Sequence, residues 1–435
     1  MKQEDKYIHE FRDPIHVFIK MNSKEREVVD SIPLQRLRHI HQLGLSYLVY
    51  PGATHKRFEH SLGVMEVATR IFDTITDTYN ITDAIKNHLK ELHDPGEVTN
   101  ARKLLRMAAL CHDIGHLPFS HAAEKDLLPK GWNHERITEE LILSDMMSDI
   151  WEKVGLSGKI IAKLAVGLRE SRFVDDFTPW ETILSEIITG DMFGADRIDY
   201  LLRDSLHAGV AYGKFDHFRL IDTMRILIDP ENEMPVLGIQ EGGKHSVEAL
   251  VLARYFMFTQ VYYHPIRLIY DEHLKDFLRE WLEDGQYRID LDDHLHITDN
   301  EVITGLRKAT MERGFNGHFP ALIISQRKHF RKAFERNQEM VRSEPDALKN
   351  LSMNLQEEIG VENVKYVKTP GKEVAIDFLI ERDDGTIENS KLSRVIEKLP
   401  PIIEEYIYVP KLKLAEARKW LKQHQDSAIK PREEK

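Results

Sequence analysis

The chain has 435 residues, 42% hydrophobic and 30% charged, and carries a formal net charge of −12. Its length allows roughly three domains' worth of buried core, and its acidic balance weighs against a general nucleic-acid or anionic-membrane binder unless positive charge is concentrated locally. The single cysteine, Cys111, excludes an intramolecular disulfide framework and a thiolate-rich zinc site and makes a reducing cytoplasm the easiest compartment.

The opening MKQEDKYIHEFRD has no apolar signal core, and no stretch approaches the about 18 apolar residues of a membrane span. Around Asp13 and Pro14, apolar and polar residues alternate at Ile15, Val17 and Ile19, which predicts a short strand or hairpin arm. Helical periodicity follows. Over 62–79, Leu62, Met65, Ala68, Ile71, Phe72, Ile75 and Tyr79 share a face, and 101–112 is apolar nearly all round, as a central buried helix would be. DPGE at 94–97 reads as a connector. Further helices are expected over 134–153, 157–171, 181–206, 214–228 and 246–284, the last kinked or divided at Pro265. Composition changes near residue 320. A basic helix is expected at 324–337, then strands in NVKYVKT, AIDFLIERDDGTIE and IIEEYIYVP, with a hairpin turn at Asp384 and Gly385. The basic last segment, 411–435, reads as a helix with a frayed tail. The expected fold is mainly α: a helical core over 1–320 with a short N-terminal strand arm, then a smaller α+β lobe over 321–435.

The 22 histidines are not spread evenly; they concentrate in THKRFEH, CHDIGHLPFSH and WNHE. His112 and Asp113 end a strongly apolar helix, where polar groups must be paired or bound to something. Neighbouring helical residues point about 100° apart, so this imidazole and carboxylate can converge on one ion beside the helix. Two donors hold an ion loosely, and the pattern therefore demands more ligands from other helices. His60 in RFEHSLG and Asp196 in GDMFGADRIDYLLRD are the candidates. Two imidazoles and two carboxylates leave water sites on an octahedral ion and admit Mn, Mg, Fe, Ni or Zn. Such an ion suits hydrolysis of a phosphate ester. Cys111 reads as a small buried hydrophobe, not a thiolate ligand.

RFEHSLGV, CHDIGHLPFSH and DRIDYLLRD, in this order, resemble the HD-domain superfamily of metal phosphohydrolases, and within it the deoxynucleoside triphosphate triphosphohydrolase branch. DPIHVFIKM and IPLQRLRHIHQLGLSYLVYPGATHKRFEHSLGV are similar to the animal members that carry a sterile-alpha-motif domain. No such domain is expected ahead of the strand before Asp13. The likeness covers most of 7–275 and continues weakly through 327–336. It implies His60, His112, Asp113 and Asp196 as metal ligands, with Asp191 a competitor for the fourth place. It implies His116 and His121 facing the phosphates, His121 as general acid, and His134 as a further active-site histidine. Glu124 stands where the animal members have an aspartate partnering the acid. Arg57, Arg197 and Tyr200 would hold the triphosphate, Gln42, Leu43 and Asp204 would read the deoxyribose, and Tyr262 would pack on the sugar. Asp30, Gln35 and Arg38 match guanine-reading positions of an activator site at subunit interfaces, whereas His9 and Arg12 replace its phosphate-holding lysine and asparagine. The implied partners are a dNTP, a GTP or dGTP activator, and further copies of the chain in a homo-oligomer (dimer or tetramer), with no membrane. A second metal with the substrate phosphates is admitted. Two other functions fit the residues. One is a phosphodiesterase or exonuclease using RKHFRK at 327–332 and the basic tail to bind single-stranded nucleic acid weakly; the other is a non-catalytic nucleotide-binding regulator.

Overall fold

The computed structural model describes residues 8–122, 124–336, 346–371, 377–390 and 394–428; the tail expected beyond the last helix lies outside them. The chain forms two compact units. One comprises Met1–Met257, Tyr287–Glu301 and Ala375–Leu399, and the other Phe258–Gln286, Val302–Val374 and Pro400–Lys435. Both units draw on sequence from either side of residue 320.

In the first unit the arm is a hairpin, β1 His9–Asp13 antiparallel to β2 Val17–Met21. Asp13 makes its turn, with Oδ1 accepting from the amides of Ile15 and His16, both at 2.8 Å. Helices Arg57–Ile75, Pro95–Cys111, Gly158–Val166, Pro179–Thr189 and Ala195–Ala208 pack into the helical core. Val64, Met65, Ala68, Leu105, Ala108 and Ala109 are wholly buried there, as the apolar run at 101–112 requires. DPGE is not a connector but the start of that helix. Asp94 caps it by accepting from the Gly96 amide at 2.7 Å, and Pro95 takes the first helical position, where its missing N–H is not needed.

Two expected helices are broken. Ser144 separates His134–Leu143 from Asp145–Val154, and Gly190–Gly194 separates Pro179–Thr189 from Ala195–Ala208. The second break puts Asp196 in a first helical turn, where unpaired amides favour a carboxylate. The helix expected over 214–228 is also corrected: His217–Asp222 is helical, but Met224–Ile228 is strand β3. It pairs antiparallel with β4 Pro235–Gln240, which runs parallel to β7 Leu379–Glu381, itself antiparallel to β8 Ile387–Asn389. The Asp384 and Gly385 turn joins the last two, with Gly385 at φ 82°.

In the second unit Pro265 opens helix Pro265–Trp281, so the long apolar stretch is divided there as expected. The basic helix expected at 324–337 is corrected. Helix His318–Ser325 stops, Arg327 turns at φ 55°, and Arg331–Glu335 becomes β5. The strands expected in NVKYVKT and IIEEYIYVP form as β6 Lys365–Lys368 and β9 Glu405–Val409. β9 lies between β5 and β6, antiparallel to both. Its inner residues Ile407 and Val409 pack with Leu348, Leu351, Leu355, Ala417 and Leu421 of helices Ala347–Ile359 and Leu414–Ala428. The fold is mainly α with small sheets, as expected. Among the described residues, no helix is long and apolar enough to cross a membrane.

Candidate active site

Three helix ends of the first unit bring the expected ligands together. His60 sits in the first turn of Arg57–Ile75, His112 and Asp113 follow the last turn of Pro95–Cys111, and Asp196 lies in the first turn of Ala195–Ala208. His60 Nε2 is 3.0 Å from Asp196 Oδ1 and 3.7 Å from Asp113 Oδ2. His112 Nε2 is 3.4 Å from Asp113 Oδ1 and 3.6 Å from Asp196 Oδ1. The ring of His112 donates from Nδ1 to the Ala109 carbonyl at 2.8 Å, which leaves Nε2 buried without a hydrogen-bond partner. A buried lone pair facing two carboxylates is unsatisfied unless a cation comes between them, so the donor set fits a divalent ion. Burial opposes protonation of His60, yet its hydrogen bonds to Asp196 and Asp199 win and raise its pKa to about 10. The proton reports the negative field that an ion would neutralise in its place. Asp191 is ion-paired with Arg169 and lies 3.6 Å from Arg197 Nη2.

A second group adjoins the first. His116 Nε2 lies 3.2 Å from Asp113 Oδ1, and the His116 ring stacks on His134 at 3.9 Å. Glu124 bridges two rings, accepting from His121 Nδ1 at 3.0 Å and from His134 Nδ1 at 2.7 Å. Although burial opposes its ionisation, those two bonds hold the Glu124 carboxyl far below the usual range. His134 is correspondingly raised against its burial, and burial with Arg57 and His134 nearby pushes His116 well down. The His121 side chain remains 60% exposed. Arg57, only 3% exposed, is ion-paired with Asp113 and donates from Nε to Ser120 Oγ at 2.8 Å.

The remaining expected residues divide. Gln42 is buried with Oε1 unpartnered, and Leu43 beside it is half-buried. Arg197 follows Asp196, donates to the Gly190 carbonyl at 3.5 Å, and keeps Nε buried without a partner. Tyr200 lies one turn on, with its hydroxyl pKa raised by burial. Asp204 is buried and accepts from His55 Nε2 at 2.7 Å, while the His55 ring stacks on His207 at 4.4 Å. Tyr262 belongs to the second unit, in the π-turn Phe258–Tyr262. Asp30, Gln35 and Arg38 bond to near neighbours in the chain. Arg26 donates to Asp30 at 2.7 Å, Gln35 donates to the Val29 carbonyl at 2.8 Å, and Arg38 donates to Gln35 at 2.9 Å while lying 3.6 Å over the Phe58 ring.

Sequence reasoning passed over the residues that aim the ligands. Asp199 accepts from His60 Nδ1 and from His16 Nε2, each at 2.8 Å, and from Arg203 at 2.8 and 2.9 Å. Arg203 also reaches Asp13 at 2.8 Å. The carboxylate fixes the His60 ring so that Nε2 faces the other ligands, where an ion would take the place of its proton. The i, i+3 spacing of Asp196 and Asp199 in DRIDY was the available signal. Gly63, one turn from His60, is required because any Cβ there would overlap the Asp199 and Arg203 side chains.

Two family profiles match: HD domain over residues 57–172 and HD associated region over 215–380. An uncharacterized protein of Methanocaldococcus jannaschii is 35% identical over 68% of this chain and 54% of its own length. The human deoxynucleoside triphosphate triphosphohydrolase SAMHD1 is 29% identical over 66% of this chain and 49% of its own. The chain thus spans about half the length of these curated relatives. The crystal structure of a hypothetical protein from Aquifex aeolicus is 32% identical, with a TM-score of 0.76 over 95% of this chain and 99% of that one. The HD profile begins at Arg57 and so takes in His60, His112 and Asp113 together with the adjoining histidines, and the solved relative extends the likeness to nearly the full chain: the protein belongs to the HD-domain family.

Proposed function

We propose that this protein hydrolyses deoxynucleoside triphosphates to deoxynucleoside and inorganic triphosphate. One observation carries the reading: the unsatisfied His112 Nε2, among His60, Asp113 and Asp196, lies next to a histidine–glutamate group in which Asp113 and His116 are 3.2 Å apart. An ion-holding group beside a proton-handling group is what phosphate-ester hydrolysis needs. The human relative is named for this activity.

His60, His112, Asp113 and Asp196 would hold one divalent ion, which when bound supplies Lewis acidity toward a phosphoryl oxygen. Arg57, Arg197 and Tyr200 bind the triphosphate, and the planar guanidinium groups supply the local positive charge that the net −12 withholds. His116, kept neutral with Nε2 beside Asp113, faces the phosphates without adding charge. His121 protonates the sugar O5′ as its bond to the α-phosphorus breaks, and the oxygen of water bonds to that phosphorus while the water gives up a proton to solvent. Glu124 holds His121 Nδ1, so the proton that leaves is the one on Nε2. His134 shares the Glu124 carboxylate and keeps it ionised. Gln42 offers its unpartnered buried Oε1 to a sugar hydroxyl, with Leu43 and Asp204 completing the deoxyribose contact. A guanine nucleotide bound at Asp30, Gln35 and Arg38 between subunits of a homo-oligomer would activate.

The test is to incubate the purified protein with each dNTP and Mn or Mg, with and without GTP, and to separate the products by anion exchange. Inorganic triphosphate and deoxynucleoside are expected. Pyrophosphate with monophosphate, or no turnover with any dNTP and metal, refutes the proposal.

A further inference from the structure

The loop carrying Gln42 and the loop carrying His121 meet on a residue distant from both in sequence. Asp299 is wholly buried at the start of helix Asp299–Met311. Its Oδ1 accepts from the Phe119 amide at 2.6 Å, and its Oδ2 accepts from the His41 amide at 2.7 Å and from His41 Nδ1 at 2.5 Å. The Lys56 ammonium lies 3.0 Å from His41 Nδ1 and 2.8 Å from His41 Nε2. Phe119 and Ser120 both adopt positive φ, 56° and 60°, a conformation that non-glycine residues leave unless something holds them. Further bonds bind the same two loops. Ser120 Oγ donates to the His41 carbonyl at 2.7 Å, and a Cβ on Gly44 would come within 2.9 Å of the Phe119 carbonyl. From the same segment, the Ile297 carbonyl accepts from Arg36 Nη2 at 2.8 Å, and Arg36 Nη1 donates to the His116 carbonyl at 2.8 Å.

We infer that Asp299 is a positioning residue that sets His121 and Gln42 at once, one carboxylate oxygen for each loop. The inference rests on the proposed roles of those two residues. Only a carboxylate serves here, because both loops present N–H donors. Asn at this position would satisfy one loop and turn its own NH₂ toward the donor of the other. The general acid and the sugar-reading residue would then shift relative to each other, and a displacement of that kind costs on the order of 100-fold in rate.

The experiment compares wild type with Asp299→Asn in metal content, kcat and KM for a dNTP and the matching ribonucleotide, and amide exchange by mass spectrometry. The variant should bind metal as wild type does, lose about 100-fold in kcat, discriminate less against the ribonucleotide, and exchange faster at peptides covering His41 and Phe119. A protein that is merely less stable would lose active fraction while KM and discrimination stayed unchanged, and that result overturns the inference; so do unchanged kcat and exchange. Should Asp299→Asn not fold, His41→Phe removes the ring's contacts with Asp299 and Lys56 and keeps the amide bond to Asp299. A smaller kcat loss with faster exchange around residue 41 is then expected, and wild-type behaviour overturns the inference. If wild type turns over no dNTP, the proposed function falls, while exchange at the two loops still decides the role of Asp299.

Discussion

His60 and His121 are each held at Nδ1 by a carboxylate, Asp199 for the first and Glu124 for the second, so that Nε2 is the atom left for chemistry. The two carboxylates differ in what else they hold, and their variants should differ accordingly. In Asp199→Asn, an amide nitrogen must face His60, His16 or Arg203, all of which donate to Asp199 in the wild type. We expect metal affinity to fall about 10- to 100-fold, measured by calorimetric titration of the metal-stripped protein. Glu124→Gln should leave the metal in place. It removes the anion that raises His134, so the His134 titration midpoint, read from its ring proton resonances, moves down in pH. A midpoint that stays put would show that another group raises it.

The helix Arg57–Ile75 meets Ala195–Ala208 at Gly63, where a side chain would displace Asp199 and Arg203. Gly63→Ala should therefore cost about 1–3 kcal/mol of stability, read as an earlier urea midpoint, and weaken metal binding as well, since the same overlap disturbs the residue aiming His60. The donors themselves were legible in the sequence because they sit at helix ends within short motifs; a lone histidine–aspartate pair is most often an ordinary polar pair, and the histidines crowded around His112 and Asp113 made the difference. Asp199 left only its spacing from Asp196 as a signal, because its partners His16 and His60 lie far along the chain, and Asp299 left none, since nothing local marks a carboxylate as an acceptor for two distant loops. Strand β3 was missed because the apolar pattern around Met224–Ile228 satisfies a helix equally well, and only pairing with β4 decides. In β5 the lysines and arginines disguised an alternation in which Ala333 alone is buried. Conversely, β9 is buried along its whole length, and its run of β-branched and aromatic residues was readable directly.

The acidic chain confines its strongest polar networks to buried places in both units, and this gives the second unit a pH dependence of its own. His329 is buried against Tyr270, and burial, with Arg331, His273 and Arg327 near it, pushes its pKa down to about 4. The fold thus favours the neutral ring. This contribution is complete above the unfolded value of 6.5 and is lost as pH falls through about 4, an upper limit of about 3 kcal/mol. Melting temperature should drop over that window, and His329→Phe should flatten the drop; an identical pH profile for the variant would exclude this histidine as the source. The interleaving of the units has a different consequence, for the order in which the protein can be made. β4 is paired on one side by β3, a near neighbour in the chain, but on its other side by β7, which leaves the ribosome long afterwards. Until then a nascent chain that already contains every metal ligand carries an open strand edge. Synthesis of this protein should therefore place an early demand on holding factors, and a gene cut before β7 should yield aggregates even though all the chemistry of the site lies upstream of the cut.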